Sequence, residues 1–314
     1  MPTYLVTGGA GFIGSHLVKY LVDQGEKVRV IDNFLTGSRE NLREVMARIE
    51  LIEGDIRDFG LMKEVMQGMD YCLHQAALPS VPRSIEDPIT SNDINVTGTL
   101  NVLVAARDAG VQRFVYASSS SVYGNSPVLP KREDMPPGPL SPYAINKLAG
   151  ELYCRQFYSL YGLPTVCLRY FNVFGPGQNP DSPYAAVIPI FISAMMENRP
   201  ATVHGDGEQS RDFCYVDNAV SANVLACRAP ASRVAGKVFN VACGERYTIN
   251  ELVSKLNALM GKDIAPVYMP PRSGDVRDSL ADISCGRRDL GYEPLVSFGE
   301  GLRRTAAWFQ QKLS

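Results

Sequence analysis

Histidine is scarce in this chain: three among 314 residues, at positions 16, 74 and 204, far apart in sequence. No metal-ligand spacing results, and no zinc site or other metal is expected. Cysteine is present but unorganised, since the seven at 72, 154, 167, 214, 227, 243 and 285 include no CxxC pair. An odd, dispersed set reads as reduced thiols in a cytoplasmic protein, not as a disulfide framework. The net charge is −2 and no long basic run occurs, which argues against a nucleic-acid partner. No apolar stretch reaches the length of a membrane helix. The nearest, YAAVIPIFISAMM at 184–196, carries Pro189 and reads as a buried loop-to-helix passage. No basic leader with a cleavage site, internal repeat or low-complexity linker is expected from the pattern.

What is there suits a soluble globular chain: 45% hydrophobic and 20% charged residues, enough for one large or two small domains. The first half alternates short apolar runs with helical patterns. TYLVT (3–7), KVRVID (27–32), IELIEGD, DYCLHQAA (70–77), QRFVYASS and PTVCLRYFN (164–172) read as strands. Between them lie FIGSHLVKYLVDQ, a charged helix after the second strand, FGLMKEVMQG, and one long helix over ITSNDINVTGTLNVLVAARDAG. This alternation predicts an α/β fold, a Rossmann-type doubly wound parallel sheet, with a smaller α/β C-terminal substrate domain. The second half is less regular. VDNAVSANVLACRA, TINELVSKLNALMG (capped by Thr248) and GLRRTAAWFQQK read as helices, KVFNVAC as a buried strand, and PPRSGDVRDS as a loop.

Two motifs carry chemistry. TGGAGFIG follows the first strand and opens a helix, so Gly8, Gly11 and Gly14 bring backbone amides to a pyrophosphate at the helix N-terminus. Asp32 ends the second strand, where a carboxylate accepts ribose hydroxyls and repels a 2′-phosphate, favouring NAD over NADP. Asp55 reads either as an adenine contact or as a cap for the following helix. The second motif is SPYAINK: Ser141 is a good N-cap, Pro142 suits the first helical position, and Tyr143 and Lys147, four apart, share a face. SSSSVYG ends the fifth strand and sets hydroxyls beside this pair. An adjacent ammonium and a positively charged nicotinamide both favour the phenolate, lowering the phenol toward operating pH.

Read in order, TGGAGFIGSHL, DN, GDIRD, HQAA, SSSSVYG, SPYAINK, RYFNVFGPGQNP, SRDFCYV and PPRSGD span the whole chain. The chain resembles the extended short-chain dehydrogenase/reductases, specifically the nucleotide-sugar 4-epimerases. VPRSI and RYFNVFG…QNP make UDP-N-acetylglucosamine 4-epimerases the nearest likeness. The resemblance implies a tightly bound NAD, regenerated each turnover, in contact with Gly8, Gly11, Phe12, Ile13, Gly14, Asp32, Asn33, Thr36, Gly37, Ser38, Asp55, Ile56, Gln75, Ala76, Ala77, Tyr143, Lys147 and Tyr170. It implies Tyr143 as acid/base, Lys147 as its activator and Ser119 as third member, with Ser118, Ser120 and Ser121 as near competitors. For a UDP-sugar it implies Ser121, Asn172, Val187, Thr202, His204, Arg211, Arg272, Asp275 and Ser279, with Arg211 and Arg272 clamping the diphosphate and Asp275 on the ribose. Arg83 in VPRSI reads equally as a ligand contact or a surface arginine.

Relatives that dehydrate or decarboxylate carry carboxylates before VYG. Here the positions are Ser120 and Ser121, which argues for C4 epimerisation. Asn172 favours a neutral hexose over glucuronate, and Ser279, where glucose-only relatives carry a bulky Tyr, leaves room for an N-acetyl group. The expected pair is UDP-GlcNAc/UDP-GalNAc, with UDP-Glc/UDP-Gal secondary; UDP-glucuronate 4-epimerase and a non-enzymatic NAD-sensing regulator are the alternatives. The expected domains are residues 1–171 for NAD, rejoined by a segment near 213–243, and 172–212 with 244–314 for the UDP-sugar. Relatives dimerise through a four-helix bundle, here matching about 90–110 and 141–162, so a homodimer is expected.

Overall fold

Short runs of β-branched and aromatic residues flanked by glycine build the centre of the molecule. The computed structural model describes residues 1–180, 186–271 and 276–313. Its main sheet contains β1 (Thr3–Thr7), β2 (Lys27–Asp32), β3 (Glu50–Glu53), β4 (Tyr71–His74), β5 (Arg113–Ser119), β6 (Thr165–Tyr170) and a seventh strand, Lys237–Val241. The spatial order is β3, β2, β1, β4, β5, β6 and then Lys237–Val241, with every pairing parallel. The chain therefore winds outward from β1 in one direction and restarts at β4 in the other. This is a Rossmann-type doubly wound sheet, and its crevice opens where β1 and β4 diverge.

Side chains alternate across each strand, so both faces must be covered. Tyr4 and Val6 pack with Leu17, Leu21 and Ala219 on one face. Leu5, Ile31 and Tyr116 pack with Val102, Ala106 and Cys154 on the other. A third apolar cluster lies past β6, where helices Val187–Met196, Ile249–Met260 and Phe298–Leu313 surround Phe174, Phe191 and Phe213. Thr248 caps the second of these in a full capping box with Glu251. Among the described residues no helix is long and apolar enough to cross a membrane.

Two expected elements differ. The charged helix after β2 is instead a pair of 3-10 turns, Arg39–Leu42 and Met46–Arg48. Leu42 and Val45 are its buried apolar side chains in this stretch, too little apolar face to hold a longer helix in place. The long helix over 89–110 is Pro88–Asn92 and Thr99–Asp108 joined by a π-helical segment, Asp93–Gly98. There the Asn95 side chain donates to the carbonyl of Leu78 and accepts from its N–H, at 3.0 and 2.7 Å. The side-chain clamp ties this segment to the loop after β4.

Candidate active site

The glycine turn sits at the C-terminal end of β1. Gly8 has φ +67°, and a Cβ there would lie 2.7 Å from the Ala76 backbone, in the segment that follows β4. A Cβ on Gly14 would lie 2.1 Å from the carbonyl oxygen of Gly8. Bare backbone is thus required on both sides of the crevice mouth. The helix Phe12–Asp23 begins after Gly11, which offers no side-chain cap, so the first-turn amides of Phe12, Ile13 and Gly14 are left for an anion. Asp32 is buried and holds the turn: one oxygen accepts from the Ala10 N–H at 2.9 Å, the other from Phe34 N–H at 2.8 Å. Burial pushes its carboxyl up, and these two amides oppose the shift. Ser38 N–H and the Asn41 side chain both donate to the Ala10 carbonyl, drawing Thr36, Gly37 and Ser38 against the turn. Asn41 had no signal in the sequence.

Asp55 accepts from Asn33 and from Arg57, whose hydrogen bonds hold its carboxyl down at about 2. It caps no helix; Asp58 does, accepting from Leu61 N–H. Ile56 is buried against Gly98. After β4, Gln75 closes a triangle with Tyr170 and Asn223 (3.2, 2.7 and 3.0 Å), and Ala76 N–H donates to Thr7; Ala77 follows directly.

The second group of residues meets at the end of β5. Ser141 accepts from Ala144 N–H and Pro142 starts the helix Pro142–Tyr161, as the Ser-Pro pair predicts. The Tyr143 N–H is held by Ser84 at 3.0 Å. Lys147, fully buried, donates from Nζ to the Ala117 carbonyl at 2.8 Å and lies 5.8 Å from the Tyr143 ring centre. Burial pushes the Tyr143 phenol up to about 12, with the Ser119 hydroxyl opposing. Burial also pulls the Lys147 ammonium down to about 8, against the charge of Glu151. Burial thus disfavours the charged form of each group, raising the phenol and lowering the ammonium.

Among the four serines, Ser118 is engaged by Glu151, and Ser119 is the one whose hydroxyl acts on Tyr143. Ser119 also caps the 3-10 turn Ser120–Tyr123 through Ser121 N–H, so the cap and the Tyr143 contact coexist. Ser121 has a buried hydroxyl with no partner.

A cavity of about 500 Å³ opens within the third cluster, past the end of β6, with Phe174, Phe191 and Phe213 in its wall. Asn172, Val187, Thr202, His204 and Arg211 all line it. They come from four separate stretches of chain. Asn172 has φ +34° and donates to the Asp212 carbonyl at 3.0 Å; Arg211 donates to the carbonyls of Ser210 and Arg277. Gln209 also lines the cavity, with a buried, unpartnered Oε1; only its position two residues before Arg211 could have flagged it. Ser279 is buried beside Ser210, its N–H donating to the Ser210 carbonyl at 3.0 Å. Arg272 and Asp275 lie outside the described residues. Arg83 sits on the short helix Val81–Glu86, which no periodicity announced.

A chain with a glycine turn at a sheet switch point and a Ser–Tyr–Lys group beyond it is matched over residues 4–242 by the NAD dependent epimerase/dehydratase family. The chain belongs to this family. NAD is its cofactor, and the glycine cradle with first-turn amides fits a pyrophosphate. The chain is 40% identical to a UDP-glucose 4-epimerase of Mycolicibacterium smegmatis, covering 98% of each. It superposes with a TM-score of 0.95 on a UDP-glucose 4-epimerase of Thermotoga maritima solved with UDP-glucose, at 39% identity, covering 99% of this chain and 100% of that one. A UDP-N-acetylglucosamine 4-epimerase of Methanobrevibacter ruminantium in complex with UDP-N-acetylmuramic acid gives 0.94 at 41% identity, covering 99% of each.

Proposed function

We propose that this chain is an NAD-dependent UDP-sugar 4-epimerase, acting on UDP-GlcNAc/UDP-GalNAc first and UDP-Glc/UDP-Gal second. The carrying observation is the Ser119–Tyr143–Lys147 group at the crevice, its lysine buried, with Ser120 and Ser121 where carboxylates would serve dehydration. NAD, when bound, supplies a hydride acceptor and donor. Tyr143 takes the proton from the sugar O4 and returns it, Ser119 donates a hydrogen bond to the same oxygen, and Lys147 supplies the positive charge that favours the phenolate. The sugar passes through a 4-keto form and is reprotonated at O4 after its opposite face is presented. Asn172, Val187, Thr202, His204 and Arg211 line the cavity assigned to the UDP-sugar; Arg211 and Arg272 are assigned to its diphosphate and Asp275 to its ribose. Small, buried Ser279 leaves room for the acetamido group.

The helix Pro142–Tyr161 presents Ile145, Leu152 and Leu160 to solvent, 54%, 54% and 68% exposed. Apolar side chains on one outer face support a homodimer through this helix and residues 90–110. Seven free cysteines support a reducing, cytoplasmic setting.

The test is to incubate purified protein, without added NAD, with UDP-GlcNAc, UDP-Glc and UDP-GlcA separately. Appearance of UDP-GalNAc with no change in NADH absorbance is expected. Turnover of UDP-GlcA alone overturns the sugar assignment; stoichiometric NADH release overturns epimerisation.

A further inference from the structure

Glu151 is a buried carboxylate that the chemistry above leaves unused. It lies on the helix of Tyr143 and Lys147, each four residues from the next, so all three share one face. Opposite them run the last residues of β5. The Ala117 carbonyl takes the Lys147 ammonium, the Ser118 hydroxyl donates to Glu151 Oε1, and Ser119 acts on Tyr143. Behind Glu151, Arg169 of β6 donates through Nε and Nη2 to its two oxygens at 2.8 and 2.7 Å. Both side chains are almost wholly buried, 4% and 5% exposed.

A buried ion pair is poor value for stability alone, because desolvation cancels most of the attraction. A fixed anion one helical turn from a buried ammonium has a more specific effect. Lys147 is packed between the rings of Tyr116 at 5.1 Å and Tyr143 at 5.8 Å. His74 of β4 also faces it, and stays neutral between Thr7 and Thr99. Tyr116, Tyr143 and His74 are thus uncharged neighbours from β5, the helix and β4. Arg169, the other cation on this side, is turned onto Glu151. The Ala117 carbonyl and the two rings favour the ammonium as neutral partners, and Glu151 is the charged group that raises it.

We propose that Glu151, clamped by Arg169 and Ser118, is a positioning residue that keeps the Lys147 ammonium protonated and in register with Tyr143. The inference rests on the assignment of Tyr143 and Lys147 above. A carboxylate held by three donors from two neighbouring strands cannot swing to pair with Lys147 directly. It therefore acts through space across one helical turn, in an interior that screens charge less than water does.

The test uses lysine labelled with ¹³C at Cε, with the Lys147 signal identified by its loss in Lys147→Met, titrated by NMR alongside the pH profile of kcat. Glu151→Gln is expected to move the Lys147 titration down by a pH unit or more, and the alkaline limb of kcat with it, while KM for the UDP-sugar changes less than twofold. Glu151→Asp, which keeps the charge, is expected to restore most of both. Because Glu151→Gln leaves Arg169 unpaired, Glu151→Gln/Arg169→Gln is made as well; it should show the same downward shift, smaller in size. A folded Glu151→Gln with an unmoved Lys147 titration overturns the proposal. So does a failure of both the single and double variants to fold, which assigns the pair to stability. If Tyr143→Phe epimerises normally, the catalytic assignment fails, yet the NMR titration still reports separately on Glu151 and Lys147.

Discussion

The Lys147 ammonium is anchored to the Ala117 carbonyl at 2.8 Å and lies 5.8 Å from the centre of the Tyr143 ring. Lys147 is buried and Tyr143 half-buried, so the ammonium keeps its carbonyl partner while the phenol stays open to the crevice. Tyr143→Phe is expected to lower kcat by about 10³ and Lys147→Met by about 10², within the span of acid–base catalysis. KM should change little. Following sugar interconversion by NMR checks this, and an undiminished Phe variant refutes the role.

Gly14 faces Gly8 across the phosphate turn, where a Cβ would meet the Gly8 oxygen at 2.1 Å. Gly14→Ala should cost about 1–3 kcal/mol of stability, as overpacking does, and weaken NAD binding at least tenfold by calorimetry. Gly299→Ala is the control. Its Cβ meets nothing within 4 Å, and stability should hold or rise.

Ser279 is buried with its backbone tied to Ser210. Ser279→Tyr should abolish turnover of UDP-GlcNAc while leaving UDP-galactose within about threefold, since only the acetamido group competes for that volume. Equal loss on both sugars would count against a role in selectivity.

His74 is fully buried, and desolvation first, then the charge of Lys147, pulls its imidazole down to about 3. The unfolded chain titrates near ~6.5, so below that pH the unfolded state binds the extra proton. Stability from this site is complete above pH ~6.5 and declines as pH falls toward 3, by about 1.4 kcal/mol per unit. Urea unfolding should show wild type losing about 2 kcal/mol more than His74→Gln between pH ~6.5 and ~5. Parallel curves for the two proteins would exclude the effect.

Ile145 and Leu152 lie outward on the helix Pro142–Tyr161. Ile145→Glu/Leu152→Glu should convert a dimer to a monomer in sedimentation velocity, since charges at an apolar interface are left desolvated and unpaired. A monomeric wild type, or an unaltered dimer in the variant, rejects this interface.

Much of this was legible in one dimension because it is local. Ser141 and Pro142 start a helix by local backbone geometry, and the structure has them as cap and first residue. β1, β2 and the glycine turn follow from an apolar run meeting residues without side chains. The expected helix after β2 failed because its charged pattern promised a helix that its few buried side chains could not support. The π-helical segment was invisible because its cause, the Asn95 clamp on Leu78, spans seventeen positions.

Residue order by itself determined the doubly wound sheet, the phosphate turn and the presence of Tyr143 and Lys147 on one helical face, since each depends on neighbours within a few positions. Only the tertiary structure decided that Ser118 serves Glu151 while Ser119 faces Tyr143, that Arg169 backs that carboxylate, and that five residues from four stretches share one cavity. It also showed that burial opposes ionisation of the Tyr143 phenol. Charge proximity can be read from spacing, whereas the cost of desolvation depends on everything packed around the group.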